Sequence, residues 1–518
     1  MRPALAALCV FGLWGLNACA PSAIPTLVPN YRVVTADPDS TETPTPFQPS
    51  FSTDTSTPSE TPVPTETQAS TFTPTATGTS APTKAAPVQA PPDSQGRTNY
   101  ILFATLDFPE RSVTVEETIR YYNTSGVPLA DLVLSVQPNR YSGCFSLASI
   151  EIDSVSTSAY ALDGQRLTIE LPRPLDPGTA ITVSVNYGLA LPYKRSDGLF
   201  GYDFNQINLT DWYPFVVPYS NGWLLHDPMP FGEHLVYDSS DIEVNLRTGG
   251  DVIVAASAPP EQNGEWTRYR LYGARTFALS ASNEFRVAES AVGTSSIHSY
   301  FFDGYQGAGD GMLNAAVQAV GLFDAKFAPY PYSSLSVVQA DINDGQEYDG
   351  LVFLSTDFYG QYGGTNRSNL VTIGVHEIAH QWWFGLVGND QALEPWLDEA
   401  MALYSERIFY EFTRASSLLD WWWQFRVDFF EPGGYVDTTI YEGGAFRPYT
   451  NAVYLNGAHF MEEFRTRLGD EAYYRFLKDY AAQYSYRRAT ANDWFGLARQ
   501  HSNADLTGLI GKYFQNPH

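Results

Sequence analysis

The residues best placed to do chemistry lie in His376-Glu377-Ile378-Ala379-His380. On a helix, positions i and i+4 fall about 40° apart around the axis, so both imidazoles can reach one ion. Glu377, beside the first imidazole, stands where it can take a proton from a water that the ion activates. The nineteenth residue after His380 is Glu399. That spacing lets the first helix end near Gly388-Asn389-Asp390, turn, and start a second helix that brings a carboxylate back. Two histidines and one carboxylate leave an open coordination position. That is the pattern of a catalytic zinc, whereas a structural zinc takes four protein ligands, usually with cysteine. The sequence therefore predicts one Zn2+ per chain, on His376, His380 and Glu399. Glu406 falls seven residues after Glu399, on the same helix face. It is either a hydrogen-bond partner for a ligand histidine or a solvated helix charge.

The elements that must hold these groups follow from periodicity. Helical spacing of apolar residues predicts helices over 311–327, 370–386, 395–412, 415–430, 451–468, 471–484, 491–501 and 506–514. Strand-like runs read 334–340 and 351–355, with a loop between them. Upstream, 99–107, 113–122, 167–171, 180–187 and 251–256 alternate or carry β-branched residues, and turn signals such as Pro177-Gly178 bound them. The expected fold class is α+β: an antiparallel β-rich N-terminal domain (97–290, saddle or sandwich), then a zinc catalytic domain (291–518) that is mostly helical in its C-terminal half.

The stretch VTIGVHEIAHQWWFGLVGNDQALEPWLDEAMALYSE, residues 371–406, resembles the zinc aminopeptidase family typified by aminopeptidase N. The likeness extends from the two ligand histidines through Gln381-Trp382-Trp383 to Trp396-Leu397 before Glu399. It implies a thermolysin-like catalytic domain. In Gly345-Gln346-Glu347-Tyr348, similar to the family's Gly-x-Met-Glu-Asn segment, Glu347 would bind the free α-amine of a peptide. Gln346 and Tyr348 depart from the family's Met and Asn. Asn451-Ala452-Val453-Tyr454-Leu455-Asn456-Gly457-Ala458 is similar to its Val-Tyr-x-x-Gly-Ala stretch, and Tyr454 would stabilise the oxyanion. Asp398 occupies a position that is usually Asn, and is a candidate for the shell behind the ligands. More loosely, Asn205-Gln206-Ile207 followed by Trp212-Tyr213-Pro214 resembles the family's N-terminal domain, where Gln206 would help bind the amine. A calcium loop at Asp341–Gly345 fails, because glycine falls at its fifth position and Val352 at its twelfth.

Composition sets the surroundings. The formal charge is −27, from 57 acids and 30 bases. So acidic a chain is unsuited to nucleic acid and suits cations, metal ions and peptide amino termini. Residues 20–96 are about half Thr, Ser and Pro and hold seven acids against two bases. They read as an unstructured tether, and most of the acidity belongs to the globular part beyond residue 96. Residues 1–18 form a short positive and then apolar leader, too short to span a membrane. It ends in Leu16-Asn17-Ala18-Cys19, which resembles a bacterial lipobox, with Cys19 the lipidated residue. With Cys9 lost in the leader and Cys19 acylated, Cys144 stands alone and no internal disulfide forms.

Together these features predict a zinc aminopeptidase, lipid-anchored at Cys19 to the outer face of a bacterial membrane, acting on peptides with a free N-terminus. The alternatives are an endopeptidase of the same fold, whose uncapped cleft admits longer chains, and a surface binding protein with a relic site.

Overall fold

The computed structural model describes residues 96–516 apart from 196–197, 250, 414–415 and 502. The expected leader, Cys19 and all but the last residue of the expected tether lie outside the described residues. The described residues all belong to one compact unit of the chain, and among them no helix is long and apolar enough to cross a membrane.

Alternation builds the first half. In the strand Thr98–Asp107, Tyr100, Leu102, Ala104 and Leu106 turn inward while the intervening side chains are at least partly exposed. The strand Ser112–Tyr122 repeats the pattern with Val113, Val115, Glu117, Ile119 and Tyr121, so one inward position of an otherwise apolar face is acidic. These strands belong to an eight-stranded sheet that two four-stranded sheets accompany. The expected antiparallel pattern is interrupted in the eight-stranded sheet. Thr98–Asp107 pairs antiparallel with Ser112–Tyr122 on one side and parallel with Ser240–Thr248 on the other.

The second half is built on a five-stranded sheet in the order Arg286–Val292, Ser295–Phe301, Ser334–Ala340, Leu351–Ser355, Gly345–Tyr348. Its last strand falls where the sequence suggested a loop. It is buried and pairs antiparallel with Leu351–Ser355, placing Glu347 opposite Val352 at the sheet's edge. Pairing with a neighbour far stronger in β-propensity overrides the weak local signal of Gly-Gln-Glu-Tyr.

The helices depart from simple periodicity where function gathers. The helix Asn369–Ala379 starts on Ser368, whose hydroxyl accepts from the Val371 amide at 3.4 Å. It ends at His380, six residues before the expected Leu386. Beyond it Phe384 takes φ +145°, and Val387–Gly388 pairs with Arg487–Arg488. The expected helix 415–430 becomes an α-helix Ser416–Trp422 followed by a π-helical turn Trp423–Val427 and a 3₁₀ turn. The expected helix 451–468 begins with another π-helical turn, Asn451–Leu455, and continues as Asn456–Leu468. Single π turns are uncommon and recur at functional sites; here the two carry Arg426 and Tyr454. Gly457 lets the second of these helices approach Trp396–Phe412, because a Cβ there would lie 2.6 Å from the Cβ of Ala400.

Arg275 and Asp349 join the two halves. The Arg275 guanidinium donates to the carbonyls of Phe384 (2.6 Å), Tyr237 (2.9 Å) and Arg487 (2.7 Å). Asp349 accepts from the amides of Arg275 (2.9 Å) and Thr276 (2.7 Å) and from the Tyr332 hydroxyl. The guanidinium thereby ties down the strained Phe384 turn that follows the histidine helix.

Candidate active site

His376 and His380 leave one face of the helix Asn369–Ala379 and its cap, and Glu399 leaves the first turn of Trp396–Phe412. Glu399 Oε2 lies 3.2 Å from Nε2 of His376 and 3.5 Å from Nε2 of His380. Zinc bonds of roughly 2.0–2.1 Å in a tetrahedron require ligand atoms about 3.3–3.5 Å apart. The Glu399 oxygen therefore already stands at tetrahedral spacing from both imidazole nitrogens, all three ligand atoms lie within 4.8 Å of one another, and the donor set fits zinc. Burial alone would lower the His376 pKa, but the bonded carboxylates of Glu399 and Glu406 outweigh it and raise it to about 10. Burial would likewise raise Glu399, but both imidazoles outweigh it and bring it to about 2. Glu399 thus stays in the ionised form that a ligand needs.

The other ring nitrogens are fixed from behind. His376 Nδ1 donates to Glu406 Oε1 at 3.0 Å, and His380 Nδ1 to the Trp383 carbonyl at 3.0 Å. Both rings therefore present Nε2 forward. Glu406 is a partner and not a solvated charge. It also accepts from Arg426 Nη2 (2.7 Å), Arg426 Nε (3.0 Å) and the Trp422 indole (2.7 Å). Arg426 and Trp422 carried no signal in the sequence, because the π turn that aims Arg426 is not a periodic feature. The rest of the histidine motif is structural. Gln381 donates to the Tyr348 carbonyl (3.0 Å) and accepts from the Gly350 amide (2.7 Å), coupling the helix to the edge strand. Trp382 and Trp383 donate to the Ala328 carbonyl and the Ser405 hydroxyl.

Glu377 lies between the ligands and the edge strand. A Cβ on Gly345 would lie 2.3 Å from its Oε1, so the glycine makes room for the carboxylate. Glu347, Glu377 and His380 bring ligand atoms within 4.8 Å of one another. Burial, opposed by His376 and reinforced by Glu399, Asp344 and Glu233, holds the Glu377 carboxyl well above its ordinary value. Tyr454 stacks on His376 with ring centroids 6.2 Å apart and planes 12° from parallel. Its hydroxyl is buried, faces Glu399 and has no completed hydrogen bond among the described residues.

On the other side of Glu377 a second carboxylate joins Glu347. Glu233, in the long segment between the strands Phe215–Val216 and Ser240–Thr248, accepts from both Gln346 and Gln391. The same two amides donate to Glu347, at 2.9 Å from Gln346 and 3.5 Å from Gln391. Burial, then Glu399, pushes Glu233 up to about 7, and burial with Glu233 beside it raises Glu347 well above its ordinary value. Two carboxylates crowded together resist double ionisation unless a cation joins them. From this pair a cavity of about 770 Å³, its open mouth included, runs along Tyr348, Tyr237, Asp211, Arg140 and Phe384.

Two expected residues lie differently. Gln206 is not at this pair: its amide donates to Ser280 Oγ (2.9 Å) and to the Gln339 carbonyl (3.1 Å), toward the strand Ser334–Ala340. The β-rich half does send a side chain to Glu347, but it is Glu233. No local motif marks Glu233, since only the packing of the halves brings it there. Asp398 is buried; its Oδ1 accepts from the Glu399 amide at 2.9 Å, fixing the start of the helix.

Residues 313–513 match the model of the peptidase family M1 domain. Aminopeptidase M1-D of Oryza sativa subsp. japonica is 24% identical over 217 residues, covering 38% of this chain and 24% of that protein. Aminopeptidase M1 of Arabidopsis thaliana is 23% identical over 215 residues, covering 39% and 24% respectively. The match therefore spans about a quarter of the length of these relatives. An M1 zinc metallopeptidase from Deinococcus radiodurans superposes with a TM-score of 0.58 at 17% identity, over 82% of this chain and 96% of that one. A mutant of it bound to a Tyr-Ser-Ala substrate gives 0.57 at 16%, with the same coverage. At such identities the structures establish a common fold. Both histidines, Glu399, Glu377, Glu347 and Tyr454 lie inside the span, residues 313–513, that matches the peptidase family M1 domain.

Proposed function

We propose that this chain is a zinc-dependent aminopeptidase. The observation that carries the reading is the Glu233–Glu347 pair next to Glu377 and the three ligand atoms: a place for one cation beside a place for one hydrolysis. Zinc, when bound by His376, His380 and Glu399, acidifies a water and polarises a carbonyl. Glu377 accepts the water's proton and returns it to the leaving nitrogen. The Tyr454 hydroxyl, buried and uncommitted, donates to the oxygen on which negative charge develops. Glu347 and Glu233 accept hydrogen bonds from the substrate's α-ammonium, and the Gln346 and Gln391 amides hold the two carboxylates in place. The cavity beyond receives the first side chain.

The zinc-loaded protein should hydrolyse a peptide with a free N-terminus at least about 100-fold faster than its N-acetylated form, as expected when a buried ionic contact is lost. Equal rates would reject amine recognition and favour the endopeptidase. The lipid anchor is a separate proposal resting on the sequence Leu16-Asn17-Ala18-Cys19. Radiolabelled palmitate incorporated by the full chain and lost in Cys19→Ala would support it.

A further inference from the structure

Asp344, which acts on Glu377, and Arg447, on which Asp344 also acts, carry buried polar atoms without a hydrogen bond among the described residues. Both carboxylate oxygens of Asp344, a residue only 5% exposed, and the buried Nη1 of Arg447 have no hydrogen bond among the described residues. Buried polar atoms are paired in the great majority of cases, and an unpaired ion is costly. Orphans of opposite sign beside a reaction centre point to a ligand that completes them.

Their place relative to the edge strand says which part of a ligand would reach them. Glu347 and Gly345 lie two residues apart on the edge strand, which rises about 3.3–3.4 Å per residue. Gly345 packs against the Glu377 carboxylate, and Asp344 comes next along the chain. A peptide whose ammonium sits at Glu347 and whose first carbonyl sits at Glu377 therefore continues past Gly345 toward Asp344. The Asp344 carboxylate is close enough to act on both Glu377 and Arg447. Arg447 lies on the short helix Phe446–Thr450, which leads directly into the π turn of Tyr454. Its guanidinium rests on Phe430 and Phe446, 4.4 and 5.3 Å from their ring centroids. Aromatic packing holds a guanidinium's plane while leaving its edge nitrogens to a planar anion.

We propose that Arg447 binds the C-terminal carboxylate of a dipeptide, with Asp344 accepting from the N–H of that same second residue. The favoured substrates are then very short peptides with both termini free. The ammonium is read by Glu233 and Glu347, and the carboxylate by Arg447, on opposite sides of Glu377. The proposal rests on the aminopeptidase reading for the direction in which the peptide lies.

The test uses binding, so it does not depend on turnover. Leucyl-alanine and leucyl-alaninamide are titrated calorimetrically into the zinc-loaded Glu377→Gln protein. The free acid should bind at least about tenfold more tightly than the amide. Arg447→Ala on the same background should bring the two within about twofold, and Arg447→Gln, which keeps bulk and polarity, should do the same. Equal affinities in the parent, or a preference that survives both substitutions, overturns the proposal. Turnover of leucyl-p-nitroanilide by the unsubstituted protein reports on the peptidase reading by itself. A carboxylate preference without turnover would sink that reading alone; turnover without the preference would sink this one alone.

Discussion

Two buried glutamates, one in each half of the molecule, are treated in opposite ways. Glu406 in the helical half meets His376, Arg426 and Trp422, and although burial would raise its pKa, Arg426 and His376 bring it below the ordinary value. Glu117 in the eight-stranded sheet is 1% exposed, and neither of its oxygens has a partner among the described residues. Burial raises its pKa well above the ordinary value. The two sites share burial and differ in neighbours. What a buried acid does to a protein is decided by whether the fold supplies a counter-charge. The helical half supplies one because its acid must hold a ligand histidine in place. The β-rich half keeps an acid without a counter-charge in a face that is otherwise apolar.

The comparison separates substitutions that strike chemistry from those that strike stability. Glu377→Gln should retain one zinc per chain by elemental analysis while the turnover number falls about 10²–10⁴-fold, the range for loss of a general base. An active, zinc-loaded variant would overthrow the mechanism. Tyr454→Phe should lower turnover about 10²–10³-fold, as for the loss of one oxyanion donor. Its melting temperature should not fall, because the hydroxyl removed is buried and unpaired. Glu406→Ala strands the Arg426 charge and should cost about 3–5 kcal/mol in denaturant unfolding. The same change should weaken zinc binding about 10–100-fold in chelator competition.

The smallest effect distinguishes the two acids by pH. Glu406 has a lowered folded pKa, so its contribution to stability is present above the ordinary carboxylate range and lost as pH falls through that range. Glu117 has a raised folded pKa, so the folded state binds more protons than the unfolded one. Stability is then lost as pH rises from the ordinary value toward the folded one. Glu117→Gln should match the parent at acid pH and exceed it progressively as pH rises above the ordinary carboxylate range in thermal melts. Parallel curves for the two proteins would mean that Glu117 finds a counter-charge in the folded chain.

Much of the site could be read along the chain because its spacing is helical. His376 and His380 follow from one turn of helix, and Glu399 and Glu406 from two turns of the next. The strands 334–340 and 351–355 were equally legible, since burial on both faces makes continuous apolar runs. The edge strand Gly345–Tyr348 was not, because its pairing partner and not its own residues makes it a strand. The π turns of Arg426 and Tyr454 also escaped, since each breaks the 3.6-residue period that exposes a helix. Gln206 donates to Ser280 and to the Gln339 carbonyl; a loose likeness in one segment does not say which side chain crosses between the halves.

By itself the sequence pointed to His376, His380 and Glu399 as candidate zinc ligands, to Glu377 as a candidate base and to Glu347 as a candidate amine site, because each is tied to a motif whose members are near neighbours along the chain. The tertiary structure decided the partner of Glu347, the ion pair behind His376 and the orphan groups Asp344 and Arg447. These pairs join residues more than a hundred positions apart or sit on irregular turns. Their proximity is a product of packing between elements, which no local period or propensity encodes.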